Sequence, residues 1–181
     1  MAKAISQIPK AKSQTPKSKG PAYKVRVQVD EEFAGEVNPN LLRAAARAAL
    51  KHQNAPKPND LNIALTGDEY LRALNKKFRK VDKPTDVLSF PAEAPSLVAK
   101  DGGFVVEPYL GDIAISYPRA LAQAAEAGHP VEAELQLLVV HGVLHLMGYD
   151  HANAEEKARM WAAQAVILSQ LGAAIAGPSE D

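Results

Sequence analysis

Cysteine is absent from the 181-residue chain, which removes disulfide scaffolds, thiolate-ligated metal sites and thiol nucleophiles together. Aromatics make up only 6% of positions, and much of the 46% apolar fraction is alanine, so bulk in the core must come from a limited set of aliphatic side chains. No window holds the roughly 18 consecutive apolar residues that a membrane helix needs. The N-terminus lacks the apolar stretch of a secretory signal. These absences lead us to expect a soluble protein with no membrane partner, compatible with a reducing cytoplasm. Acidic residues are missing from the first 24 positions, which carry six lysines: Lys3, Lys10, Lys12, Lys17, Lys19 and Lys24. Those six leave 15 of the 21 basic groups to face all 21 acids in the remainder. The neutral total therefore hides a basic tail on a mildly acidic body. With Pro9, Pro16, Ser13 and Ser18 and no interleaved aromatic, the tail reads as a solvated extension, or else as an arm that seeks phosphate.

What is present alternates between strand and helix patterns. Tyr23 to Val29 has period two and predicts a half-buried strand. Asn38-Pro39 opens a helix that carries Leu41, Leu42, Ala45, Ala49 and Leu50 on one face and runs to about His52. A second strand is expected over Leu61–Leu65, a helix from Thr66-Gly67-Asp68-Glu69 to Phe78, and a third strand over Thr85–Phe90, ended by Pro91. Ala92 to Pro108 reads as a loop with a hairpin around Asp101-Gly102-Gly103. Gly111–Ile115 forms a fourth strand, followed by helices over Tyr117–Ala127, Val131–Met147 and Ala154–Leu171. The whole predicts one α/β or α+β domain over residues 23–172, with disordered tails at 1–22 and 173–181. Its sheet is small and four-stranded, packed with about five helices. The pattern does not reveal the strand order.

Three of the five histidines fall within eleven residues, as His141-x3-His145-x5-His151. Positions i and i+4 lie one turn apart, about 6 Å along the axis and on nearly one face, so His141 and His145 can offer two imidazoles to one ion. A continuous helix would turn His151 about 240° from His145. The helix must therefore end between them, and Gly148 stands where a left-handed residue would close it and let the chain fold back. Three neutral imidazoles leave an open position on a tetrahedral zinc, the arrangement of catalytic rather than closed structural sites. The spacing matches the H-E-x-x-H-x-x-G-x-x-H motif of metzincin peptidases except at position 142, where Gly replaces the Glu general base. Proteolysis loses its water-activating carboxylate by that change.

The segment His141-Gly142-Val143-Leu144-His145-Leu146-Met147-Gly148-Tyr149-Asp150-His151 resembles the H-G-x-L-H-L-x-G-Y-D-H signature of the YbeY family of metal-dependent endoribonucleases. Leu74-Asn75-Lys76-Lys77-Phe78-Arg79, Pro84 to Pro91 (PTDVLSFP) and Leu110-Gly111-Asp112-Ile113-Ala114-Ile115-Ser116 are similar to further blocks of that family. The resemblance implies a single α+β domain, with a zincin-like metal-binding helix beside a four-stranded mixed sheet. It also implies one Zn²⁺ held by His141, His145 and His151, and a cytoplasmic enzyme that cuts single-stranded RNA. Its expected partners are ribosomal RNA and the small ribosomal subunit, in maturation of the small-subunit rRNA 3′ end and in ribosome quality control. The Lys-rich tail gains nothing from the comparison.

Arg79 reads either as a helix-end cation favoured by the dipole or as a bidentate phosphate contact. The resemblance favours the second and makes it the candidate catalytic residue. Asp86 and Ser89, an odd step apart on the expected third strand, cannot both face the metal if the strand is regular. Each either lines the cleft or holds a loop. Asp150 either orients an imidazole or shapes the turn after Gly148. His52 and His129, isolated near helix ends, read as structural. Two alternatives to the nuclease remain: a divergent metallopeptidase, and a non-catalytic ribosome-binding factor with a structural metal.

Overall fold

The computed structural model describes residues 23–55, 59–92, 96–100, 103–107, 109–173 and 175. The basic tail expected at 1–22 lies outside them. Strands β1 (Tyr23–Val29), β2 (Asn59–Thr66), β3 (Val87–Pro91) and β6 (Tyr109–Ser116) form one sheet in the order β1-β2-β6-β3. The first three neighbours run parallel, and β3 pairs antiparallel with β6, so the sheet is mixed, as expected. Strands β4 (Ser96–Lys100) and β5 (Gly103–Glu107) form a separate antiparallel hairpin inside the stretch read mainly as loop. The hairpin anticipated around Asp101-Gly102-Gly103 is there, although residues 101 and 102 lie outside the described set.

Two details correct the expected boundaries. Strand β3 begins at Val87 rather than Thr85, and Pro91 is its last residue, opposite Gly111, instead of the residue that stops it. The sheet order explains the second: β3 is an edge strand, where a residue without an amide hydrogen can face away from its neighbour.

Helix α1 (Pro39–His52) starts as predicted, with the Asn38 side chain accepting from the Asn40 amide at 3.0 Å. Its Leu42, Ala45, Ala46, Ala49 and Leu50 are buried. Helices α1, α3 (Tyr117–Ala127), α4 (Val131–Leu146) and α5 (Ala154–Gln170) contribute to one core with Val25, Leu61, Ile63, Ile113 and Ile115 of the sheet. Helix α2 (Asp68–Arg79) covers part of the opposite face, where Leu71 joins Leu88 and Ala114.

Helix α4 is the centre of the molecule. Every residue from Glu134 to Leu144 is buried, because neighbouring helices flank it and the sheet lies beneath it. Its close approach to the sheet is set at Gly142, where an added Cβ would meet Ile113 Cδ1 and Ser89 Oγ, each at 3.0 Å. The helix then ends as its residues dictate. Gly148 takes φ +84°, the Gly148 amide donates to the His145 carbonyl at 2.9 Å, and the Tyr149 amide donates to the Leu144 carbonyl at 3.0 Å. This is a Schellman closure, and it turns the chain back over the end of α4.

Candidate metal centre

That closure brings the third histidine to the first two. The ring nitrogens of His141, His145 and His151 available for ligation all lie within 4.8 Å of one another, a group that can hold a metal ion. The His141 and His145 rings meet edge to face with centroids 4.6 Å apart, and His151 lies 5.5 Å and 5.1 Å from them. His141 is buried, His145 half-buried and His151 exposed, so the group opens outward through His151.

The donor set fits a cation. His145 Nδ1 lies 3.0 Å from the Tyr149 carbonyl oxygen, which can only accept, so Nδ1 carries the proton and Nε2 offers a lone pair. Gln164 Oε1 accepts from His141 Nδ1 at 3.3 Å in the same way. The two Nε2 atoms then face each other at 3.0 Å. Two lone pairs at that distance repel, and a shared ion removes the repulsion. Two nitrogens on one tetrahedral zinc would sit about 3.3 Å apart, given bonds of roughly 2.0–2.1 Å. Burial, and then the neighbouring His145, pushes His141 down to about 4. Burial and the His151 ring also lower His145. These two rings are therefore held neutral at pH 7, as ligation requires.

The imidazoles form one wall of a cleft of about 870 Å³, also lined by Arg79, Asp86, Ser89, Asp150, Lys157 and Trp161. Arg79 is the last residue of α2, and the loop after it is tied down. The buried Asn75 donates to the Lys83 carbonyl at 2.8 Å, while Arg72 and Lys76 hold Asp82 at 2.8 Å and 2.7 Å. Lys80, next to Arg79, adopts a left-handed φ of +63° to end the helix. Among the described residues no carboxylate pairs with Arg79, so its guanidinium remains available to an anion.

Asp86 and Ser89 both line this cleft, because Asp86 precedes β3 and escapes the strand's alternation. Their hydrogen bonds are structural. Asp86 accepts from the Val87 amide at 2.7 Å, from Thr85 Oγ1 at 3.2 Å and from Gln123 at 3.1 Å. Ser89 Oγ donates to the Gly142 carbonyl at 3.3 Å. Asp150 accepts from the His151 amide at 2.7 Å and so shapes the turn. The atoms that orient the rings are instead Gln164 and the Tyr149 carbonyl, neither of which had been singled out from sequence. Trp161, whose ring lies 5.6 Å from His151 and 6.2 Å from His141, was missed as well. His129 lies 3.1 Å from the buried Glu134, away from the imidazole group.

Two imidazoles from α4, a third from the turn that follows Gly148 and the side chain of Arg79 line one open cleft, a group that can hold a metal ion beside a cation. A sequence model of the family described as Endoribonuclease YbeY matches residues 25–172, and the chain belongs to that family. The endoribonuclease YbeY of Chloroflexus aurantiacus is 46% identical over 155 residues, 83% of this chain and 96% of that protein. The Dehalococcoides mccartyi protein of the same name is 39% identical over 153 residues, 81% of this chain and 96% of its own length. A solution structure from Thermotoga maritima covers 87% of this chain and 99% of that one at 23% identity, with a TM-score of 0.49. The membership bears out the resemblance drawn from the motifs. No helix among the described residues is long and apolar enough to cross a membrane.

Proposed function

We propose that the chain is a zinc-dependent endoribonuclease that cuts single-stranded RNA, working in the cytoplasm on the small ribosomal subunit during maturation of the small-subunit rRNA 3′ end and in ribosome quality control. The observation that carries this reading is the placement of Arg79 and three imidazoles in one cleft. In it, His141, His145 and His151 hold the ion, with Gln164 and the Tyr149 carbonyl keeping two of the rings in the ligating tautomer. A zinc ion held there supplies Lewis acidity toward a phosphoryl oxygen and acidifies water. Arg79 binds the scissile phosphate through its planar fork and stabilises the charge that develops on it. Asp86 and Ser89 hold the cleft wall in place, since their polar atoms are committed to neighbouring backbone and side chains.

The peptidase alternative meets a steric obstacle as well as a missing base: at position 142 even a Cβ would press on Ile113 and Ser89. The purely structural metal is disfavoured by the exposed His151 and the open cleft. The test is cleavage of an unstructured RNA oligonucleotide and of its duplex with a complement, with and without a chelator. Metal-dependent cutting of the single strand alone is expected. Cleavage that survives complete metal removal would overturn the reading.

A further inference from the structure

A second hollow, of about 770 Å³, lies on the face of the sheet that α2 leaves partly uncovered. It and the metal cleft share three residues, Phe78, Phe90 and Pro91, so the two meet at one lip. Phe78 precedes Arg79 and is 54% exposed, high for a phenylalanine in a chain so poor in aromatics. It is not loose: its ring stacks edge to face on Phe90, with centroids 5.0 Å apart, and Lys77 Nζ lies 5.0 Å from its centre. A rigid exposed ring beside cations is what an unpaired base recognises, through stacking that any base can make. The polar and charged groups beyond the lip are already paired with one another. Arg26 pairs with Asp60 at 3.0 Å, and Asn62 donates to Asp112 at 3.0 Å. Phosphate binding there would have to break these pairs.

We propose that Phe78 is a specificity residue: an unpaired base adjoining the phosphate at Arg79 stacks on its ring as the strand leaves the cleft over the lip. A base held in a duplex cannot present its face to the ring, so the contact selects single strands. The inference rests on the ribonuclease reading and deepens it.

The test uses the full chain loaded with metal and a single-stranded RNA carrying one 2-aminopurine, with rapid mixing to read binding before cleavage. Phe78→Ala and Phe78→Leu should weaken binding by roughly 5- to 150-fold, lose the fluorescence change that stacking causes, and keep the metal content of the wild type. Phe78→Trp should restore both. An abasic nucleotide at the stacked position should cost the wild type the same factor and cost Phe78→Ala nothing. Equal abasic penalties in the two proteins, with the wild type cutting RNA normally, would overturn the role of Phe78 alone. A wild type that neither binds nor cuts the RNA would overturn the ribonuclease reading and this inference with it.

Discussion

His141 Nε2 and His145 Nε2 face each other across 3.0 Å, each ring having committed its Nδ1 proton to a different acceptor. One acceptor is the backbone carbonyl of Tyr149, delivered by the same turn that ends α4. The other is the Gln164 side chain, which is buried on α5. The closure of α4 therefore does two things: it returns His151 to the group and fixes the tautomer of His145.

Gln164→Leu should remove the Nδ1 partner of His141 while keeping the volume. Zinc affinity, measured by competition with a chromophoric chelator, should fall roughly 10- to 100-fold. Gln164→Glu should recover it, because a carboxylate accepts the same hydrogen bond. Unchanged affinity in the Leu variant would show that His141 needs no orienting partner.

The motif around the histidines was legible because a helix places i and i+4 on one face and because only a helix break could return His151. Gly148 supplied the break where the spacing demanded it. Gln164 was not legible, since it lies 23 residues from His141 on another helix and nothing in local spacing couples the two. Asp86 and Ser89 were set against each other by assuming a regular strand from Thr85, and β3 starts only at Val87. The edge position that admits Pro91 follows from sheet order, which the pattern of short strands along the chain does not announce.

Position 142 gives the second prediction. Gly142→Glu restores the peptidase motif in name, yet its side chain must displace Ile113 and Ser89 at 3.0 Å. We expect a loss of about 1–3 kcal/mol of stability from overpacking, read by thermal or denaturant unfolding, and no metal-dependent cleavage of casein. A stable variant that digests casein would contradict the packing argument.

The metal-free protein should lose stability in acid. His141 is pushed down to about 4 from its ordinary 6.5, so the unfolded chain takes up the proton first. The native state keeps its full stability above about pH 6.5 and loses it as pH falls toward 4, by ~3 kcal/mol at the low end. Urea unfolding across that range checks this. Replacing His141 with Gln should flatten the profile.

Arg79 and the basic tail should act on different kinetic parameters. Arg79→Ala should lower kcat by roughly 100-fold or more with metal content intact, and Arg79→Lys should recover only part, since an ammonium lacks the planar fork. Deleting residues 1–20 should leave turnover at saturating RNA unchanged. If the tail touches RNA, its removal should flatten the salt dependence of binding by up to roughly 0.7 in log–log slope per lysine. A wild-type rate in Arg79→Ala, with cleavage abolished by the deletion, would reverse the two roles.

If the same three imidazoles hold the ion and make the chain a ribonuclease, metal and activity must stand or fall together. Bound zinc and the rate of RNA cleavage should be measured on the same preparations of wild type, His145→Ala and His151→Ala. The wild type should hold one equivalent of zinc, and both variants should lose metal and cleavage together while the fold persists by circular dichroism. A His151→Ala protein that keeps its full metal complement, or either variant cutting RNA at the wild-type rate without metal, would contradict it.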